Sequence, residues 1–101
     1  MGVIETMTFR LQDGADEAAF LAVDKRLQSD FAYQQPGLVR RTIARGEGDR
    51  DGEWIVVDVW WTADLADACA RRWDDDPIAQ EFMAFVDCKS VDVRRYEDLP
   101  G

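Results

Sequence analysis

The sequence predicts one α+β domain, in the order strand, helix, strand, strand, helix, strand, folded as a four-stranded antiparallel sheet with its helices on one face. Three observations carry this expectation. Apolar residues alternate in short segments, as strands require. They recur at helical spacing in two longer segments. Turn residues separate these segments at Asp13-Gly14, Pro36-Gly37, the Gly-rich stretch 46–52 and Asp76-Pro77. With 101 residues, 47% of them hydrophobic, the chain has room for a single domain (1–101) with a modest core. At that size a second copy often supplies extra buried surface.

The first strand runs from Ile4 to Leu11, where Ile4, Thr6 and Thr8 alternate with Glu5, Met7 and Phe9. Asp16 is the expected N-cap of a helix whose apolar stripe is Phe20, Val23, Leu27 and Phe31, with Asp24, Lys25, Arg26 and Gln28 between them. Pro36-Gly37 ends it, because proline cannot continue a helix. Leu38 to Arg45 forms the second strand, with Arg40, Arg41 and Arg45 suited to an edge or interface. A polar hairpin connection leads to Glu53-Trp54-Ile55-Val56-Val57-Asp58-Val59-Trp60-Trp61-Thr62, the central strand. Thr62 caps a helix striped by Leu65, Cys69 and Trp73. Asp76 and Pro77 restart it, with Ile78, Phe82, Phe85 and Val86 on its buried side. Ser90 to Glu97 completes the sheet. Two split βαβ halves of this kind predict the strand order 4-1-3-2, a ferredoxin-like arrangement, which brings Glu5 close to the Asp58 to Trp60 end of the central strand.

The totals exclude several functions. Acidic residues outnumber basic ones 21 to 12, and a net charge of −9 repels phosphate backbones and anionic lipid, so neither nucleic acid nor membrane is expected as a partner. No apolar run is long enough to span a bilayer, and Met1 to Leu11 lacks the basic start and small-residue cleavage site of a signal peptide, so a cytoplasmic protein is the expectation. The chain has no His, and Cys69 and Cys88 stand far apart, which removes the usual zinc sites and the commonest general base. Asp74-Asp75-Asp76 before Pro77 reads as helix capping rather than a cation site.

The central strand has two faces. Trp54, Val56, Asp58 and Trp60 share one, and Ile55, Val57, Val59 and Trp61 the other. The wholly apolar second face is expected to hold the helices. Trp54, Val56 and Trp60, joined by Met7 and Phe9, are too much apolar area to leave in water, so a second copy of the chain is expected to cover them.

The βαββαβ plan, the run Asp58-Val59-Trp60-Trp61-Thr62 before an Ala-rich helix, the Asp-Asp-Pro break, and the ending Ser90-Val91-Asp92-Val93-Arg94-Arg95-Tyr96-Glu97 resemble the antibiotic biosynthesis monooxygenase-like family of dimeric α/β barrels. The resemblance covers nearly the whole chain. It implies a homodimer of facing sheets, chemistry without a cofactor, Trp60 on the wall of an active cavity and Trp61 turned to the helices. The superfamily also contains haem-degrading enzymes, isomerases and many members of unknown role. Two departures stand out. The family's oxygenases commonly use an Asn on the first or third strand, whereas this chain has no Asn and carries Met7 and Val56 at the corresponding positions. Haem-degrading members bind iron through a His on the second helix. Here that region is Gln80-Glu81-Phe82-Met83, so haem ligation is not supported and Met83 reads as core filling.

Two function classes fit these residues. In the first, Glu5 and Asp58 share one cavity between the sheet faces, walled by Trp54, Trp60, Val56, Met7 and Phe9. Two close carboxylates raise the pKa of one enough to make it a general base, and the aromatic walls stack a small hydrophobic or aromatic metabolite that then reacts directly with dioxygen. Tyr96, like Tyr33, is a candidate hydrogen-bond donor to that ligand. In the second, Arg40, Arg41, Arg94 or Arg95 neutralises Glu5 and Asp58 in a non-catalytic homodimer that binds a small ligand or serves a structural role.

Overall fold

The computed structural model describes residues 2–100. Its strands are β1 (Val3–Leu11), β2 (Leu38–Arg45), β3 (Trp54–Trp60) and β4 (Val86–Glu97), all antiparallel and ordered β2-β3-β1-β4 as the topology predicts. Helices α1 (Glu17–Asp30), α2 (Ala63–Trp73) and α3 (Pro77–Ala84) follow the capping signals. Asp16 accepts a hydrogen bond from the Ala19 N–H at 3.2 Å, Thr62 from Leu65 at 3.2 Å, and Asp76 from Ala79 at 2.8 Å. Each cap satisfies a donor that the first helical turn leaves free.

One boundary differs from expectation. Phe85 and Val86 fit a helical stripe, yet α3 ends at Ala84 and β4 begins at Val86, four residues before Ser90. The reason is Gln12: its backbone N–H donates to the Phe85 carbonyl at 2.8 Å, and its side-chain amide to the Ala84 carbonyl at 3.0 Å. Those bonds take up the carbonyls that end the helix, and Val86 then pairs with Leu11.

The larger correction concerns the two faces of the sheet. Phe9, Trp54, Val56 and Trp60 are buried within the single chain, and all but Trp60 belong to a core with Phe20, Leu27, Phe31, Phe82 and Val86. The helices therefore cover the face that carries Asp58, not the face of Ile55, Val57 and Val59. Alternation separates two faces but does not say which is covered when both are largely apolar. Trp61, expected against the helices, is 68% exposed, because the strand ends at Trp60 and its N–H instead donates to the Gly37 carbonyl at 2.9 Å. Ile4, Ile55, Val57 and Val59 thus lie half-buried on the uncovered side.

A bulge in β2 decides which of its side chains reach the helices. The register slips between Leu38 and Arg40, so Leu38 opposes Trp60 while Arg41 opposes Asp58. The extra residue, Val39, turns outward at 48% exposure, and both Leu38 and Arg41 face the helices.

Candidate functional site

A cavity of about 330 Å³ lies between the sheet and its own helices. The expected cavity between two sheets is thereby corrected, because the helices of the same chain cover the face that carries Asp58. From the sheet come Glu5 and Met7 of β1, Leu38 and Arg41 of β2, Val56, Asp58 and Trp60 of β3, and Val93 of β4. Its roof is α2, which presents Ala66, Cys69, Ala70 and Trp73 at the spacing of one helical face. Phe31 and Phe82 close the apolar end. Trp73 holds that end in shape through edge contacts with Phe31 and Phe82, each at 5.8 Å between ring centres.

The structure brings together five of the residues the sequence singles out: Glu5, Met7, Val56, Asp58 and Trp60. Trp54 and Phe9 are not on the cavity wall. They pack on Phe20 at the other end of the sheet, 5.2 and 6.0 Å between ring centres, where a large ring has more apolar partners than a cavity offers. Tyr96 opposes Ile4 on the uncovered face, half-exposed, and so points away from the cavity. Tyr33 instead bonds the backbone of Arg41, accepting from its N–H at 2.9 Å.

The polar end of the cavity holds the chemistry. Glu5 and Asp58 are direct cross-strand partners, as the topology predicts. Their surroundings differ. Glu5 accepts a hydrogen bond from Arg95 at 2.9 Å, and Arg95 reaches on to Asp67 of α2 at 2.7 Å, tying β1, β4 and the roof helix together. Among the described residues the cation beside Asp58 is the guanidinium of Arg41, its Nε 4.0 Å away, and the buried Oδ1 of Asp58 has no hydrogen-bond partner. Burial pushes the Asp58 carboxyl up from 3.8 to about 6; Arg41 opposes this, while Glu5 and Asp24 add to it. Trp60 carries a second buried atom without a partner among the described residues, its indole N–H.

Sequence reasoning missed the group that sets this balance. Asp24 is buried on α1 and accepts from Arg41 Nη2 at 2.7 Å, while Gln28 accepts from Nη1 at 3.3 Å. A signal was available, since Phe20, Asp24, Leu27 and Phe31 fall on one helical stripe. Cys69 also lines the cavity; burial, then the negative charge of Asp58, pushes its thiol up to about 11, so it is not a nucleophile at neutral pH.

No family model and no curated protein matches the chain. Solved structures do. SnoaB, a cofactor-independent oxygenase from Streptomyces nogalater, superposes with a TM-score of 0.77 at 24% identity, over 99% of this chain and 95% of that one. A protein described as an antibiotic biosynthesis monooxygenase gives 0.74 at 11% identity, over 97% and 99%. A conserved protein from Methanosarcina mazei gives 0.75 at 12% identity, over 98% and 94%. These likenesses establish the fold expected from the sequence, end to end.

Proposed function

We propose that this chain, which has the fold of SnoaB and of an antibiotic biosynthesis monooxygenase, is a cofactor-independent oxygenase acting on a small, flat phenol or quinol. The observation that carries the reading is Asp58: a carboxylate whose buried oxygen has no hydrogen-bond partner among the described residues, pushed up to about 6 by burial, on the wall of a cavity lined by aromatic and aliphatic side chains. Such a group is mostly ionised at pH 7 yet basic enough to take a phenolic proton. Deprotonation puts electron density on a ring carbon, which reduces dioxygen directly. The C–H at that carbon becomes C=O with one oxygen atom, giving a quinone, and the ring hydrogen and the phenolic hydrogen leave with the other oxygen atom as water. The Trp60 indole N–H is a donor for the oxyanion that develops. Glu5, held by Arg95, contributes a fixed negative charge that keeps Asp58 basic.

The cavity volume lies at the lower end of the range for small-molecule sites, which favours a compact polycycle over an extended ligand. A homodimer belongs to the same reading. Its interface is the uncovered sheet face, where Ile4, Ile55, Val57 and Val59 form an apolar centre bordered by Thr6, Thr8 and Thr42.

The ion pairs favour a second reading, a non-catalytic ligand-binding dimer, because Arg95 neutralises Glu5 and Arg41 stands beside Asp58. Oxygen uptake with a panel of quinols and polycyclic phenols separates the two. The oxygenase consumes oxygen with at least one of them, and Asp58→Asn lowers the rate by about 10²- to 10⁴-fold. Absence of uptake with every compound, together with a metabolite that copurifies unchanged, establishes the second reading instead.

A further inference from the structure

We infer that Asp24, buried on α1 and not part of the cavity wall, is a positioning residue that draws the Arg41 guanidinium away from Asp58. The inference rests on Asp58 being the proposed base.

Register alone puts Arg41 directly across from Asp58. A guanidinium with five donors, free beside a buried carboxylate, is expected to close on it with N···O distances of about 2.7–2.9 Å. In this chain it does not: the contact stays at 4.0 Å, too long for a hydrogen bond, and involves Nε alone. The two terminal nitrogens are engaged elsewhere, Nη2 by Asp24 at 2.7 Å and Nη1 by Gln28 at 3.3 Å. The backbone of Arg41 is held on the same side, since the Tyr33 hydroxyl accepts from its N–H at 2.9 Å and donates to its carbonyl at 3.3 Å. The Arg41 and Asp24 side chains are only 4% and 7% exposed, so water is not available to substitute for either partner.

The charged and titratable groups around Asp58 make Asp24 the deciding one. From β1 comes Glu5, already satisfied by Arg95 of β4. The roof helix brings Cys69 and, further off, Arg72, whose Nε donates to Gln35 at 2.6 Å. Asp67 on the same helix is taken by Arg95, and Asp74 lines the cavity beyond the helix end. From α3 the wall is the apolar ring of Phe82. Arg41 is therefore the cation placed to neutralise Asp58, and Asp24 is the acid that competes for it. A carboxylate that loses this competition keeps its affinity for a proton; one that wins it becomes an ordinary ion-paired acid with little use as a base.

The test is a carboxyl ¹³C NMR titration of Asp58 in the substrate-free protein, with amide spectra confirming the fold of each variant. Asp24→Asn removes the competing charge but keeps the shape, and the Asp58 midpoint should fall from about 6 by about 1–2 pH units. Asp24→Glu should restore a midpoint near that of the wild type. Gln28→Glu adds a competitor for the other terminal nitrogen and should move the midpoint up; this variant carries the test if Asp24→Asn does not fold. Loss of packing alone predicts no such opposite pair of shifts. The Arg41→Gln background separates the direct effect of the Asp24 charge: there Asp24→Asn should leave the midpoint nearly unmoved, and an undiminished fall overturns the inference. A midpoint unmoved in Asp24→Asn, or lowered in Gln28→Glu, overturns the inference. Oxygen uptake is scored separately: the predicted NMR shifts without uptake in any variant uphold the role of Asp24 while removing the oxygenase reading.

Discussion

Asp58 makes the stability of the protein depend on pH in a direction opposite to that of most acidic side chains. Its folded pKa, about 6, lies above the ordinary value of 3.8, so the folded state binds the proton more tightly than the unfolded one. Stability from this group is greatest at low pH, falls as pH rises between those two values, and levels off above 6. Asn mimics the protonated carboxyl. Asp58→Asn should therefore stabilise the fold by about 1–3 kcal/mol at pH 8, with the gain shrinking toward pH 4, as read from urea unfolding at both pH values. On the proposed oxygenase reading, the rate of the wild type should rise through pH 6 and then flatten. The Arg41–Asp24 pair sets a contrasting expectation. Removing one partner as Asp24→Ala strands a buried charge and should lower stability by about 3–5 kcal/mol, whereas replacing both, Asp24→Leu with Arg41→Met, should recover most of that loss. These partners were only half legible in the sequence. Arg41 stood among four arginines that fitted the role equally well, and choosing it needed the β2 bulge, which no residue pattern in Leu38–Arg45 announces.

Among the elements, caps and turns were legible and the covered face was not. Asp16, Thr62 and Asp76 act over three residues, so their signals are local and complete in the sequence. Which side of β3 meets the helices depends on the twist and the crossovers of the whole chain, and β3 is apolar on both sides. The roof helix α2 depends on a close approach of a different kind. Gly37 has φ of 86°, and a side chain there would collide with Leu65 of α2. Gly37→Ala should destabilise the protein by more than about 1 kcal/mol in thermal or urea unfolding, and should loosen α2 over the cavity. Cys69 reports on that loosening. It is half-buried with a thiol held up at about 11, while Cys88 is exposed, so a thiol reagent should modify Cys88 quickly and Cys69 slowly. In Gly37→Ala the slow phase should accelerate, and a ligand filling the cavity should suppress it.

For the whole molecule, the cavity wall comes from one chain, while the proposed dimer uses the opposite face of the same sheet. Val57→Lys, at the centre of the uncovered face, should convert a species of twice the chain mass into a monomer by light scattering, while the Asp58 titration stays near 6. A wild-type protein that is monomeric at all concentrations would remove the proposed interface. The alternation along β3 also governs how this chain can change. Neighbouring positions answer to different demands: a saturation library at 54, 56, 58 and 60 should sort by core stability and ligand, and one at 55, 57 and 59 by self-association. Because the side chains of the two sets point to opposite faces, effects should couple less between the sets than within either, and drift toward a new ligand should leave the proposed interface largely intact.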